Sequence, residues 1–289
     1  MNVLSFGEIL WDLYPDRKCL GGAPLNFAAH LAKHGEQVYM LSAVGKDILG
    51  AQALEQVRQW GVLTEYVAVL EEKQTGCCLV TLNESLVPSY NLLQDVAYDH
   101  IPCNGLDREF DVLYFGTLAL RSEANCRALK TLLETHRIGE IFVDVNIRPP
   151  FYCAETVRFA VENATILKVS DEELPVLCGM FDISRAIGVE AAAKQMADTF
   201  PNLRYILITL GGDGAYVLSC QDGTACRRGS EQVKVRSTVG AGDSFSAAFL
   251  AKRLRGCPVE QALEHAVKVA GFVVSEYDAV PDYCAEDFL

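Results

Sequence analysis

Runs of apolar residues alternate with helical patterns along most of this chain, and the alternation limits the possible folds more than any other feature. Runs rich in β-branched and aromatic residues predict buried strands. These runs are residues 3–6, 38–44, 111–116, 140–145 and 205–210. Helical patterns lie between several of them, at 23–35, 48–61 and 123–136. Strands and helices alternating at this spacing predict an α/β fold with a mostly parallel sheet between layers of helices.

The segment from Gly61 to about Ile101 departs from this alternation. Its strand-like stretches GVLTEYVAVL, TGCCLVTLN and LVPSYNLL follow one another with no helix between them, which predicts an antiparallel excursion. A small sheet inserted into an α/β domain can cover a ligand at the carboxyl edge of the main sheet. We therefore predict one domain over residues 1–289 with a β lid near 12–20 and 61–101. The open edges of this lid favour a homodimer.

Composition argues against several classes of partner. The 289 residues carry a formal net charge of −13, so nucleic acid and anionic membrane surfaces are not expected to bind. No uncharged apolar run reaches the roughly 18 to 20 residues that a membrane-spanning helix needs. The start has no basic leader, and the eleven cysteines contain no C-x-x-C pair. These features predict free thiols and a cytoplasmic protein.

The segment Ser237 to Phe245, STVGAGDSF, carries the strongest chemical signal. Here a glycine-bearing turn opens a helix, and free backbone N–H groups at a helix start can hold a phosphoryl group. Gly240 and Gly242 allow the backbone to approach such a ligand closely. A carboxylate beside a phosphate has a reason to be there if Asp243 accepts the proton of an attacking hydroxyl. The pattern alone leaves helix capping by Asp243 as an equal alternative.

This segment resembles the C-terminal signature of the PfkB (ribokinase-like) carbohydrate kinases, usually D-T-x-G-A-G-D. The stretch GGAPLNFAAHLAKHGEQVYMLSAVGKD, which starts at Gly21, resembles the N-terminal signature of the same family. The resemblance implies a ribokinase-like three-layer α/β/α fold with a small β lid, and ATP-dependent phosphorylation of a sugar. The FGE opening, LGGAPLNFAAHLA and NIRPP resemble fructokinases, which implies conversion of fructose to fructose 6-phosphate.

The resemblance also implies roles for individual residues. Asp243 would be the catalytic base, with Gly240, Ala241 and Gly242 as the anion hole. The implied sugar-binding residues are Asp12, Gly21, Gly22, Asn26 and Arg148. The implied nucleotide-binding residues are Ser170, Glu173, Thr209, Gly211 and Gly214. Glu173 would also help to place magnesium-bound water, although Ser170 stands where the family usually has asparagine.

Departures from the family pattern keep other functions open. Ser237 replaces the usual aspartate of the C-terminal signature, which argues against strong potassium activation. The substrate could be another small sugar, a sugar acid or a nucleoside, with ribose and 2-keto-3-deoxygluconate as examples. Ser170 and Ser237 also fit a catalytically idle sensor that binds sugar or nucleotide. A NAD-dependent dehydrogenase is disfavoured because no G-x-G-x-x-G follows the first strand.

Overall fold

A nine-stranded sheet forms the centre of the protein in the computed structural model, which describes residues 1–82, 88–184 and 188–288. Its strands are β1 (Asn2–Phe6), β4 (Gln37–Gly45), β5 (Val67–Leu70), β8 (Phe110–Gly116), β9 (Ile138–Asp144), β10 (Ile166–Ser170), β11 (Tyr205–Thr209), β12 (Ala215–Ser219) and β13 (Ala225–Arg228). They lie in the order β13-β12-β11-β10-β9-β8-β1-β4-β5. From β11 to β5 every neighbouring pair is parallel, whereas β12 and β13 are antiparallel additions at one edge.

Helices cover both faces of this sheet. They are α1 (Ala23–Lys33), α2 (Ile48–Gln59), α3 (Glu123–Thr135), α4 (Ala154–Asn163), α5 (Leu174–Met180), α6 (Gly188–Thr199), α7 (Ala241–Leu254) and α8 (Val259–Val274). Apolar side chains of α1, α2, α7 and α8 pack into one core, and those of α3 to α6 pack into a second. In the first core the ring of Phe27 stacks on that of Tyr114 with centroids 3.6 Å apart. The three-layer α/β/α prediction is confirmed.

A second sheet of four strands lies beside the first, in the order β3-β2-β6-β7. Its strands are β2 (Leu10–Leu13), β3 (Lys18–Gly21), β6 (Gly76–Leu82) and β7 (Pro88–Leu92). The predicted lid segment at 61–101 includes a strand that is not part of the small sheet. β5 pairs in parallel with Ser42–Gly45 of β4 and so belongs to the large sheet. Part of the predicted stretch LVPSYNLL, residues 86 and 87, lies outside the described residues.

Two simpler expectations can also be compared with the structure. All eleven cysteines lie within the described residues, and none of them forms a disulfide bond there. Across the described ranges, none of the helices has both the length and the apolar character required to cross a membrane.

The parallel strands end together at one edge of the large sheet, and the predicted site segments follow these ends. Asp144 at the end of β9 pairs in register with Gly116 of β8, and Ser170 of β10 pairs with Thr209 of β11. Ligands of open α/β sheets bind outside the carboxyl ends of the strands. This edge is therefore where a functional site is expected.

Candidate active site

The turn before α7 forms the floor of the site. Gly240 has φ of 83°, and a Cβ atom there would lie 2.4 Å from the carbonyl oxygen of Ala279. Only glycine can take this left-handed backbone conformation at a position packed so closely against other backbone atoms. The helix begins immediately afterwards with Ala241, Gly242 and Asp243. The N–H groups of a first helical turn and the positive end of the helix dipole can hold an anion here.

A hydrogen bond joins the two predicted signatures. The amide Nδ2 of Asn26 donates to Oδ2 of Asp243 over 2.8 Å, although the two residues are 217 positions apart. Asn26 is placed by the start of α1, where Gly22 has φ of 118° and a Cβ atom would lie 2.3 Å from the carbonyl oxygen of Glu8. The first turns of α1 and α7 therefore meet at Asp243.

The small sheet reaches the same place through Asp12 of β2. A Cβ atom on Gly21 would lie 3.4 Å from Oδ2 of Asp12 and 4.0 Å from Oδ1 of Asn26, so these three residues converge. Oδ1 of Asn26 is buried and has no hydrogen-bond partner among the described residues. An unpaired buried acceptor costs about 1–3 kcal/mol, and a ligand hydroxyl would satisfy it.

The electrostatics of the site favour protonation of its carboxyl groups. Burial, together with the nearby carboxylate of Asp144, raises the pKa of Asp243 to about 7 against the hydrogen bond from Asn26. Burial likewise raises the pKa of Asp12 to about 6. The positive charge of Arg148 opposes both shifts. Arg148 therefore lies close enough to Asp12 and to Asp243 for its charge to act on both carboxyl groups.

Glu173 and Ser170 bind each other and a neighbouring loop. The carboxylate oxygens of Glu173 accept the backbone N–H groups of Ile147, over 2.7 Å, and of Ser170, over 2.8 Å. The hydroxyl of Ser170 accepts the N–H of Glu173 over 3.2 Å. Glu173 thus fixes the loop after β9 against the end of β10.

The predicted glycine turn lies further along the same edge. Thr209 ends β11 beside Ser170, and Gly211 and Gly214 belong to the turn that leads into β12. The structure therefore places Thr209 at the carboxyl edge of the large sheet, directly before the turn that contains the two glycines. A nucleotide-binding role for these three residues stays a prediction.

Sequence reasoning missed a buried ion pair beneath the anion site. The ammonium Nζ of Lys168 lies 3.1 Å from Oδ1 and 3.0 Å from Oδ2 of Asp144. Both residues are buried, with 7% and 1% of their surface exposed. Lysine in the apolar strand pattern ILKVS was the available signal, because a charged residue is rarely buried without a partner.

A second missed group is formed by Glu8, Tyr98, Asp99 and Arg121. Arg121 pairs with Asp99 through two contacts of 2.8 Å, and its guanidinium carbon lies 4.9 Å from the ring centroid of Tyr98. In the part of the chain that the structure describes, three buried atoms of this group have no hydrogen-bond partner: Oε2 of Glu8, the hydroxyl of Tyr98 and Nη1 of Arg121. Burial raises the pKa of Glu8 to about 7, and the charges of Arg148 and Arg121 oppose this. Glu8 in the apolar opening strand region was the only sequence signal for this group.

A helix start that can hold an anion, with a carboxylate in its first turn and the amide of Asn26 beside that carboxylate, is typical of an enzyme that transfers a phosphoryl group to a hydroxyl. The profile of the pfkB family carbohydrate kinases matches residues 16–283. The chain belongs to this family, which confirms the prediction of a carbohydrate kinase.

Similar proteins agree with this family and with the fold. Fructokinase-2 of Solanum lycopersicum is 29% identical over 276 residues, which cover 86% of this chain and 81% of that protein. The structure of aminoimidazole riboside kinase from Salmonella enterica, with aminoimidazole riboside and an ATP analogue, has a TM-score of 0.82, 22% identity and coverage of 100% and 98%. Fructokinase from Vibrio cholerae O395, with fructose, ADP and calcium ion, has a TM-score of 0.81, 22% identity and coverage of 96% and 94%.

Proposed function

We propose that this kinase transfers the γ-phosphoryl group of ATP to the 6-hydroxyl of fructose. The observation that carries the proposal is the hydrogen bond between Asn26 and Asp243. It joins Asn26, which we assign to the sugar site, to a carboxylate in the first turn of α7. A sugar hydroxyl bound beside Asn26 would therefore lie near both a base and an anion hole.

In the proposed mechanism Asp243 acts as the general base. Its carboxylate takes the proton of the 6-hydroxyl while that oxygen bonds to the γ-phosphorus, and the bond from the γ-phosphorus to the bridging oxygen of ADP breaks. The backbone N–H groups at Gly240, Ala241 and Gly242 hold the phosphoryl oxygens during this exchange. A base whose pKa is about 7 is ionised near neutral pH and still basic enough to accept the proton.

Magnesium fits the nucleotide side of the site as an ion bound mainly by ATP and water. Within the described residues, no three His, Cys, Asp or Glu side chains are grouped to hold a metal. Both carboxylate oxygens of Glu173 accept backbone N–H groups, and each keeps a lone pair that a metal-bound water can use. Bound magnesium would neutralise charge on the ATP phosphates, while Ser170 and Thr209 line the same edge.

The charges around the sugar pocket favour a neutral sugar over a sugar acid. Asp99 already neutralises Arg121 through paired contacts. The positive charge of Arg148 acts on the carboxyl groups of Glu8 and Asp12, so it is already shared by two acidic side chains and offers little to a substrate carboxylate. The unpaired atoms of Glu8, Tyr98 and Arg121 are suited instead to hydroxyl groups, which both donate and accept.

A substrate panel tests the proposed specificity. With ATP and magnesium, an ADP-release assay on fructose, ribose, 2-keto-3-deoxygluconate, tagatose and adenosine should give the highest kcat/KM for fructose. A much higher kcat/KM for another member would replace fructose as the substrate. Thermal shifts with sugar and ATP, but no ADP release from any of them, would support the idle sensor.

The same assay with and without potassium tests the role of Ser237. The hydroxyl of Ser237 accepts the backbone N–H of Val239 over 3.2 Å, and it carries no charge to attract a cation as the usual aspartate would. We therefore expect similar kcat/KM with potassium or sodium. A large activation by potassium would contradict this part of the proposal.

Two further features of the proposal concern the assembly and location of the protein. The small sheet has β3 and β7 as its edge strands, and unpaired strand edges can join two copies of a chain. A homodimer through the lid and a cytoplasmic location stay predictions, and light scattering on the purified protein tests the first of them.

A further inference from the structure

Lys168 lies directly under the first turn of α7. A Cβ atom placed on Gly242 would be 3.0 Å from Nζ of Lys168 and 3.7 Å from its Cε. The lysine reaches this position from β10, on the sheet face that α7 covers. Its ammonium group is therefore packed against the underside of the anion hole, and the only residue with which it shares a described hydrogen bond is Asp144.

Stability does not explain why this pair is present. Removing two charges from water costs several kcal/mol per ion, and apolar side chains of similar volume often stabilise a core as well or better. The pair also lies at the carboxyl edge of the sheet, where the reaction takes place, rather than in the centre of either core. A role in the reaction accounts for both the charge and the position.

We propose that Lys168 is a positioning residue for phosphoryl transfer, which supplies positive charge beneath the anion hole and shields Asp243 and the transferred group from the carboxylate of Asp144. This rests on the proposed role of Asp243 as the base. Without Lys168, the buried carboxylate of Asp144 would lose its ion-pair partner and would act more strongly on an incoming phosphate. With Lys168 in place, the phosphoryl oxygens meet an ammonium group on the far side of Gly242.

The groups that face Asp243 define the expected pH effects. Asp144 raises the pKa of Asp243, whereas Asn26, Lys168 and Arg148 lower it. The charges of Asp243, Asp144 and Glu173 also act on the buried hydroxyl of Tyr114. Burial opposes the charged form of Lys168, and the carboxylates of Asp144 and Glu173 raise its pKa. Lys168 is therefore a cation when Asp243 titrates.

The variant Lys168→Met tests the proposal through the acid limb of the pH profile of kcat/KM. In the wild type, activity should fall as Asp243 is protonated below about pH 7. In Lys168→Met this limb should move up by about one pH unit, and kcat should fall about 10²-fold. Lys252 in the last turn of α7 is about 15 Å along the helix from Gly242. Lys252→Met is therefore the matched control, and it should change neither the acid limb nor kcat.

A second variant separates this role from simple support of the fold. Asp144→Asn should move the acid limb down, and the double variant with Lys168→Met should lie between the two single variants. A structural role would lower kcat in all three without moving the limb, which would overturn the proposal.

A titration that does not depend on activity separates failure of this proposal from failure of the base assignment. ¹³C NMR of aspartate-labelled protein follows the Asp243 carboxyl directly, with Asp243→Asn used to assign its signal. Even if Asp243 is not the base, the pKa of its carboxyl should still rise in Lys168→Met, because the charge of Lys168 lowers that pKa. An unchanged titration in both single variants would refute the shielding role.

Discussion

Asp243→Asn is expected to lower kcat about 10²- to 10⁴-fold, the range that general-base catalysis typically contributes. Asparagine keeps the size of aspartate and can still pair with Nδ2 of Asn26, which donates to Asp243 in the structure. It cannot take the proton of the sugar hydroxyl. Steady-state kinetics should therefore show a large loss in kcat, while calorimetry shows fructose binding within a few-fold of the wild type.

The loss should not come from unfolding. Burial raises the pKa of Asp243 to about 7, from about 3.9 in an unfolded chain, so the folded protein loses stability as pH rises through this window. A neutral asparagine avoids that loss, and the variant should melt at or above the wild-type temperature at pH 8. Asp198→Asn, at an exposed position of α6, is the control. Near-wild-type kcat in Asp243→Asn would refute the assignment of the base.

Gly240→Ala is expected to damage both stability and turnover. A left-handed conformation costs a residue with a Cβ atom about 1–2 kcal/mol, and here that atom would also meet the carbonyl oxygen of Ala279 at 2.4 Å. Either the turn or the segment around Ala279 must move. Since a displacement of about 1 Å can lower a rate about 10²-fold, kcat should fall by about this factor while the protein still binds fructose.

Gly223→Ala isolates the effect of the left-handed backbone. Gly223 has φ of 69° and no atom within 4 Å of the position of a Cβ, and it lies in the turn between β12 and β13. It should lose the same conformational free energy as Gly240→Ala with no loss of kcat. Equal melting temperatures for the two variants, together with wild-type kcat in both, would show that Ala279 does not support the anion hole.

The sequence predicts the parts of the site that depend on local backbone geometry. Gly22 and Gly240 stand where a Cβ atom would collide with backbone, and each lies inside a recognisable signature. Apolar residues recur with the period of a strand in some segments and with the period of a helix in the segments between them. This alternation of strands and helices predicts the parallel sheet. The contact between Asn26 and Asp243 then follows from placing both signatures at one edge.

The sequence does not predict features that depend on pairing between strands or side chains far apart along the chain. β5 follows α2 back to the large sheet, yet it precedes β6 with no helix between them, so its sequence pattern is that of a lid strand. The pairing of Lys168 with Asp144 joins two neighbouring parallel strands, and their register cannot be read from either strand alone. Arg121 and Tyr98 are brought together from two separate 3₁₀ helices, Leu118–Arg121 and Ala97–Asp99, and neither has a local pattern that marks it.

³¹P NMR of fructose incubated with the protein, ATP and magnesium tests the central claim most directly, because it identifies the product rather than the loss of ATP. The proposed mechanism predicts that ADP and fructose 6-phosphate form in equal amounts, and that Asp243→Asn forms neither at a comparable rate. Fructose 1-phosphate as the product, or inorganic phosphate without any sugar phosphate, would contradict the claim.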